Sequence, residues 1–123
     1  MFFSQLERRA ILTMANGMIQ ADGKVDKNEI KTTFQWLLGL GFDASDFQQE
    51  NLDPAQALGI ISNLSLDEKK VVTSLLYHIM ISDGNIDEKE QAFLDLTAVL
   101  CKLPNMTKGD VITTLEQLRD GLI

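Results

Sequence analysis

Cysteine is almost missing from this 123-residue chain: Cys101 stands alone, which excludes an internal disulfide and a thiolate metal cluster. Proline is scarce too. Only Pro54 and Pro104 occur, and no Ser/Gly-rich stretch reads as a linker, so one domain is expected over residues 1–123. Positive charge is in deficit, with 11 Lys and Arg against 18 Asp and Glu and a formal charge of −7. Phosphate backbones are held mainly by Lys and Arg, so no nucleic-acid partner is expected. No apolar run approaches the ~18 residues of a membrane span, and Met1-Phe2-Phe3-Ser4 lacks a basic leader region. A cytoplasmic protein without a transmembrane segment is the expectation.

What is present is helical. Hydrophobic residues make up 45% and charged residues 24%, an ordinary globular balance. Apolar residues recur at spacings of three and four, no segment alternates with period two, and cap signals divide the chain into seven helices. Ser4-x-x-Glu7 and Ser65-x-x-Glu68 are capping boxes. The first opens a helix with Leu6, Ala10, Ile11, Met14, Met18 and Ala21 on its apolar face; the second opens one with Val71, Val72, Leu75, Leu76, Ile79 and Met80. Asp22-Gly23 and Asp83-Gly84 stop these helices, and Asp26 and Asp87 start the next ones. Asp43, Asp53-Pro54 and Thr107 start three more. The fold class is therefore all-α, a bundle of about seven helices.

A shift of 61 carries Ser4, Glu7, Asp22, Gly23, Asp26 and Glu29 onto Ser65, Glu68, Asp83, Gly84, Asp87 and Glu90. These identities mark a helix start, a stop and the next start in the same order, so residues 4–29 and 65–90 read as a duplicated helix, Asp-Gly turn, helix unit. Beyond it the apolar residues Phe34, Leu37 and Leu38 match Leu96, Val99 and Leu100 one residue later, which suggests a slip of register.

The stretches Ala21-Asp22-Gly23-Lys24-Val25-Asp26-Lys27-Asn28-Glu29 and Ser82-Asp83-Gly84-Asn85-Ile86-Asp87-Glu88-Lys89-Glu90 resemble the signature of the tellurite-resistance B (TerB-like) family. The resemblance runs from about Ser4 to the last helix. It implies a compact bundle with a duplicated core, a bacterial stress-associated module that acts through a protein partner, and divalent metal at the acidic turns. It implies no defined reaction, and an enzyme is not expected.

The metal candidates are Asp22, Asp26 and Glu29 in one turn and Asp83, Asp87 and Glu90 in the other, with Ca²⁺ or Mg²⁺ as the cofactor to consider. The pattern matches the second half of an EF-hand loop. Its first and third ligand positions, however, hold Met18 and Gln20 in one copy and Ile79 and Ile81 in the other, so neither turn is an ordinary EF-hand. Two readings stand: a divalent site, or a metal-independent scaffold whose carboxylates only cap helices.

Four single residues carry further expectations. His78, the only histidine, falls at the edge of an apolar face with Ser74 one turn before it. Cys101 has no basic neighbour in sequence and reads as a small buried hydrophobe. Gly17 inside a helix costs about 1 kcal/mol relative to alanine, and its pairing with His78 suggests close approach of the two repeated helices. Trp36 lies off its helix's apolar stripe and suits either a partner contact or a seam with the helix after Asp53.

Overall fold

The computed structural model describes residues 3–21, 27–81 and 87–120, with backbone alone at 28–30, 32, 33 and 119. Every regular element among them is a helix: α1 Gln5–Gln20, α2 Lys27–Gly39, α3 Ala44–Phe47, α4 Pro54–Ser62, α5 Leu66–Ile81, α6 Glu88–Cys101 and α7 Lys108–Arg119. The caps form as their residue types dictate. Ser4 Oγ accepts the Glu7 N–H at 3.1 Å while Glu7 Oε1 accepts the Ser4 N–H at 2.8 Å. Ser65 and Glu68 repeat this at 3.2 and 2.9 Å. Asp43–Asp46 and Thr107–Asp110 close two further boxes, at α3 and α7.

The helix bounds keep the offset of 61 at three places: Gln5 and Gln20 map onto Leu66 and Ile81, and Lys27 maps onto Glu88, while α6 runs one residue past the equivalent of the α2 end. Burial follows the same rule. Ala10, Ile11, Thr13, Met14, Ala15, Met18 and Ile19 are buried on α1; Val71, Val72, Ser74, Leu75, Leu76, Ile79 and Met80 are their equivalents, all buried, on α5. Seven of sixteen positions wrap well over one face, more than an amphipathic surface helix needs. α1 and α5 are thus the paired centre of the bundle. They touch each other; α4 and α6 cover α1, and α2, α6 and α7 cover α5.

The register slip does not occur. Both second helices end in the same backbone motif, in which a left-handed residue lets the next N–H reach back five residues to a free carbonyl. Gly41 (φ 90°) is that residue after α2 and Lys102 (φ 55°) after α6. The closing bonds run from Phe42 N to Leu37 O at 3.0 Å and from Leu103 N to Ala98 O at 2.9 Å. These pairs restore the offset of 61. The apparent slip came from matching Phe34, Leu37 and Leu38 to Leu96, Val99 and Leu100 by hydrophobicity alone. Of these six Leu37 is buried, and the other five are 44–74% exposed. Leu6, at 48% exposed, also lies outside the core.

The outer side of α1 fastens the connection that follows α2. Arg8 Nε donates to Asp46 Oδ1 at 3.0 Å, and Asp46, 3% exposed, also takes the Asp43 N–H on its other oxygen. Arg9 Nε donates to Glu50 O at 2.7 Å, and Thr13 Oγ1 accepts the Leu52 N–H at 3.0 Å. The equivalent side of α5 holds a different segment: Ser74 Oγ donates to Lys70 O at 2.7 Å and lies 3.9 Å from Met106 Sδ.

Gly17 makes room, but not for α5. A β-carbon there would stand 2.7 Å from Cζ and 3.0 Å from Cε2 of Phe93 on α6. Overpacking of this kind costs about 1–3 kcal/mol, against the ~1 kcal/mol that alanine gains in helix propensity. Gly17→Ala is therefore expected to lower stability by about 1 kcal/mol in the wild-type background and to raise it by about 1 kcal/mol beside Phe93→Ala. Urea denaturation of the four proteins measures this; equal effects of Gly17→Ala in both backgrounds would show that Phe93 is not the obstacle.

Candidate functional site

Asp22, Asp26 and Asp83 lie outside the described residues, and Glu29 is described as α2 backbone only. The proposed six-carboxylate site can therefore be read at Asp87 and Glu90. Asp87 caps α6: its Oδ1 accepts the Lys89 N–H at 2.8 Å and the Glu90 N–H at 3.2 Å. Glu90, three residues on, was expected to reach back over the cap in the manner of Glu7 and Glu68. It points inward instead and is only 1% exposed. The two carboxylates of the second turn thus do different jobs, one serving backbone N–H groups and one entering the bundle. No group of three or more His, Cys, Asp or Glu side chains comes together among the described residues.

His78 and Trp36 meet each other. Their rings are 5.3 Å apart and nearly perpendicular at 89°, an edge-to-face contact between α5 and α2. They line a small cavity of about 240 Å³ with Tyr77, Val111, Leu115 and the charged tips of Lys108 and Glu116. Trp36 accordingly seals a seam with α5 and α7, not with α4. Ser74 is fully buried and committed to Lys70 O, so it does not form a pair with His78. Cys101 is buried, as its sequence context implied; its thiol faces Leu58 O at 3.5 Å, and burial raises its pKa, which leaves it an unreactive thiol at neutral pH.

Two further depressions are larger. One, of about 840 Å³, lies between the start of α5, residues 104–106 and α7. Of its three carboxylates, Asp67, Glu68 and Asp110, the last two are used in capping boxes, and the bonds from the Thr107 backbone and hydroxyl hold the Asp110 carboxyl below the usual range. The other is a groove of about 280 Å³ where α1, α2 and α3 meet. Leu12, Ile19, Leu37 and Phe47 form its apolar wall, and Asn16, Gln49 and Asn51 supply a polar rim. Phe34 stands at its side, 44% exposed, with its ring 4.7 Å from that of Phe47. Asp46, tied to Arg8, fixes α3 on one flank. The groove runs to Gln20, two residues before Asp22. An apolar floor with a rim of amides and a half-exposed aromatic suits an apolar side chain carried on a polypeptide. Sequence reasoning missed this site because its α1 residues, although at helical spacing, meet α2, α3 and the segment 49–51 only in the tertiary fold.

No family model matches the chain, and no curated protein does. Among solved structures, a crystal structure of a protein of unknown function from Porphyromonas gingivalis resembles it at 34% identity and a TM-score of 0.82, covering 95% of this chain and 98% of that one.

Burial lowers the His78 pKa from its ordinary 6.5. The unfolded chain then binds the proton more readily than the folded one, so stability is full above about pH 6.5 and declines as pH falls toward the folded value. Urea midpoints at about pH 7.5 and pH 5.5 should differ more for the wild type than for His78→Phe. Identical differences in the two proteins would remove His78 from the pH response.

Proposed function

Since the chain belongs to the same family as the Porphyromonas gingivalis protein, whose own function is unknown, we propose a role from its surface: a non-catalytic helical module that docks a protein partner through the α1–α2–α3 groove. The observation that carries this reading is Phe34, an aromatic side chain left 44% exposed beside an apolar groove that already has a polar rim. Aromatic anchors of this kind supply much of the energy of protein interfaces. The resemblance to TerB-like proteins supports a stress-response setting for such docking.

A divalent cation, Ca²⁺ or Mg²⁺, belongs to the same proposal. Bound at Asp22, Asp26 and Glu29 it would fix the junction of α1 and α2, the two helices that wall the groove; Asp83, Asp87 and Glu90 would serve the second turn. Asp87 favours the other reading, in which the turns are caps and docking is metal-independent, because its carboxylate already serves two N–H groups.

Immobilised wild-type protein is expected to retain a partner from the source cells that Phe34→Asp loses by at least about tenfold, with the helical circular dichroism unchanged. Equal retention by both would refute docking at the groove. Calorimetry with Ca²⁺ and Mg²⁺ separates the two readings of the turns. Uptake abolished by Asp22→Asn or Asp83→Asn establishes the cation, and no heat at about millimolar cation establishes the caps.

A further inference from the structure

His78 is half-buried in the wall of the cavity between α2, α5 and α7, and among the described residues no hydrogen bond ends on its ring. The other walls are apolar, built from Trp36, Tyr77, Ile81, Val111 and Leu115. The two charged residues that line it, Lys108 and Glu116, are exposed. Burial alone lowers the His78 pKa, so the ring is neutral at neutral pH and neither charge acts on it. A neutral imidazole carries one donor and one acceptor nitrogen. An ionic group brought inside would lose its water and find no counter-charge, a cost that a neutral molecule escapes.

We propose that this cavity binds a flat, uncharged bicyclic aromatic molecule whose single N–H or O–H group donates to His78. Volume sets the size. An apolar cavity of about 150 Å³ holds benzene, and the volume of about 240 Å³ adds room for a second fused ring. The shape follows from the rings already present. Trp36 and His78 stand edge to face, 5.3 Å apart at 89°, and Tyr77 lines the same cavity. Their faces and edges favour a further aromatic ring over an aliphatic chain. His78 sets the polar group: its acceptor nitrogen takes one donor, and a second polar group on the ligand would face an apolar wall. The site is separate from the α1–α2–α3 groove and does not depend on docking there.

Indole, with one N–H on two fused rings, is the probe, and indene, of the same size without the N–H, is its control. Calorimetry at neutral pH is expected to show indole bound with a Kd of about 0.1 mM, within the range open to so small a ligand. Indene should bind about three- to tenfold more weakly. His78 is the only histidine of the chain, so its ring-proton NMR signals report on the cavity directly. They are expected to shift with the same Kd as the heat. His78→Phe keeps a ring of similar size and removes the acceptor, and it should bind indole and indene alike. No saturable uptake of indole at about 1 mM overturns the proposal. Uptake that leaves the His78 signals in place overturns it too, since the ligand then sits elsewhere. Equal affinity of the wild type for indole and indene also overturns it, and that comparison needs no variant to fold.

Discussion

Two helices must lose their water for this fold to exist. α1 and α5 each bury the same seven positions, and each is covered by two or more of the surrounding helices. A helix buried over so much of its surface cannot be stable alone, so neither repeat can complete its core without the other. The rest follows from that dependence. Each central helix needs a satisfied N-terminus, and Ser4–Glu7 and Ser65–Glu68 provide it with nearly equal geometry. Each returning helix needs an abrupt end, and Gly41 and Lys102 provide it in the same left-handed conformation.

The two halves diverge on their outer sides. Beside α1, the Arg8–Asp46 pair seats α3 so that Phe47 meets Phe34 and a groove opens. α5 has no such short helix beside it: residues 104–106 run past Ser74 toward α7, and Trp36 closes over His78. α6 likewise differs from α2, since at the position of Gly39 it carries Leu100, whereas Leu38 and Val99 are exposed aliphatic residues at equivalent positions. The duplicated core is therefore alike in the two halves while their outer sides differ.

Local chemistry made much of this readable in the sequence. Ser-x-x-Glu, Asp-Pro and Thr before a helical run each specify a helix start through hydrogen bonds within four residues, and all three kinds formed. Periodicity was a weaker guide on α2 and α6. It locates an apolar stripe without saying what the stripe faces, and matching Phe34, Leu37 and Leu38 to Leu96, Val99 and Leu100 by hydrophobicity alone produced a register slip that the closing bonds of the helix ends do not show. Glu90 shows the same limit at the candidate site. A glutamate at the third position of a helix ordinarily bonds back to the cap, and only tertiary structure reveals that this one turns into the bundle. Gly17 was identifiable as a close approach from helix propensity alone, whereas its neighbour Phe93 was not, because the contact crosses from one repeat to the other.

If mutual burial of α1 and α5 governs the fold, the two helices must come apart together. Native-state hydrogen exchange measures this directly. The amides of residues 10–19 and 71–80 are expected to exchange only through global unfolding, with one shared free energy equal to that from urea denaturation. Faster exchange along either helix, by a free energy about 1 kcal/mol or more below the other, would show that one repeat stands without its twin and would contradict the account.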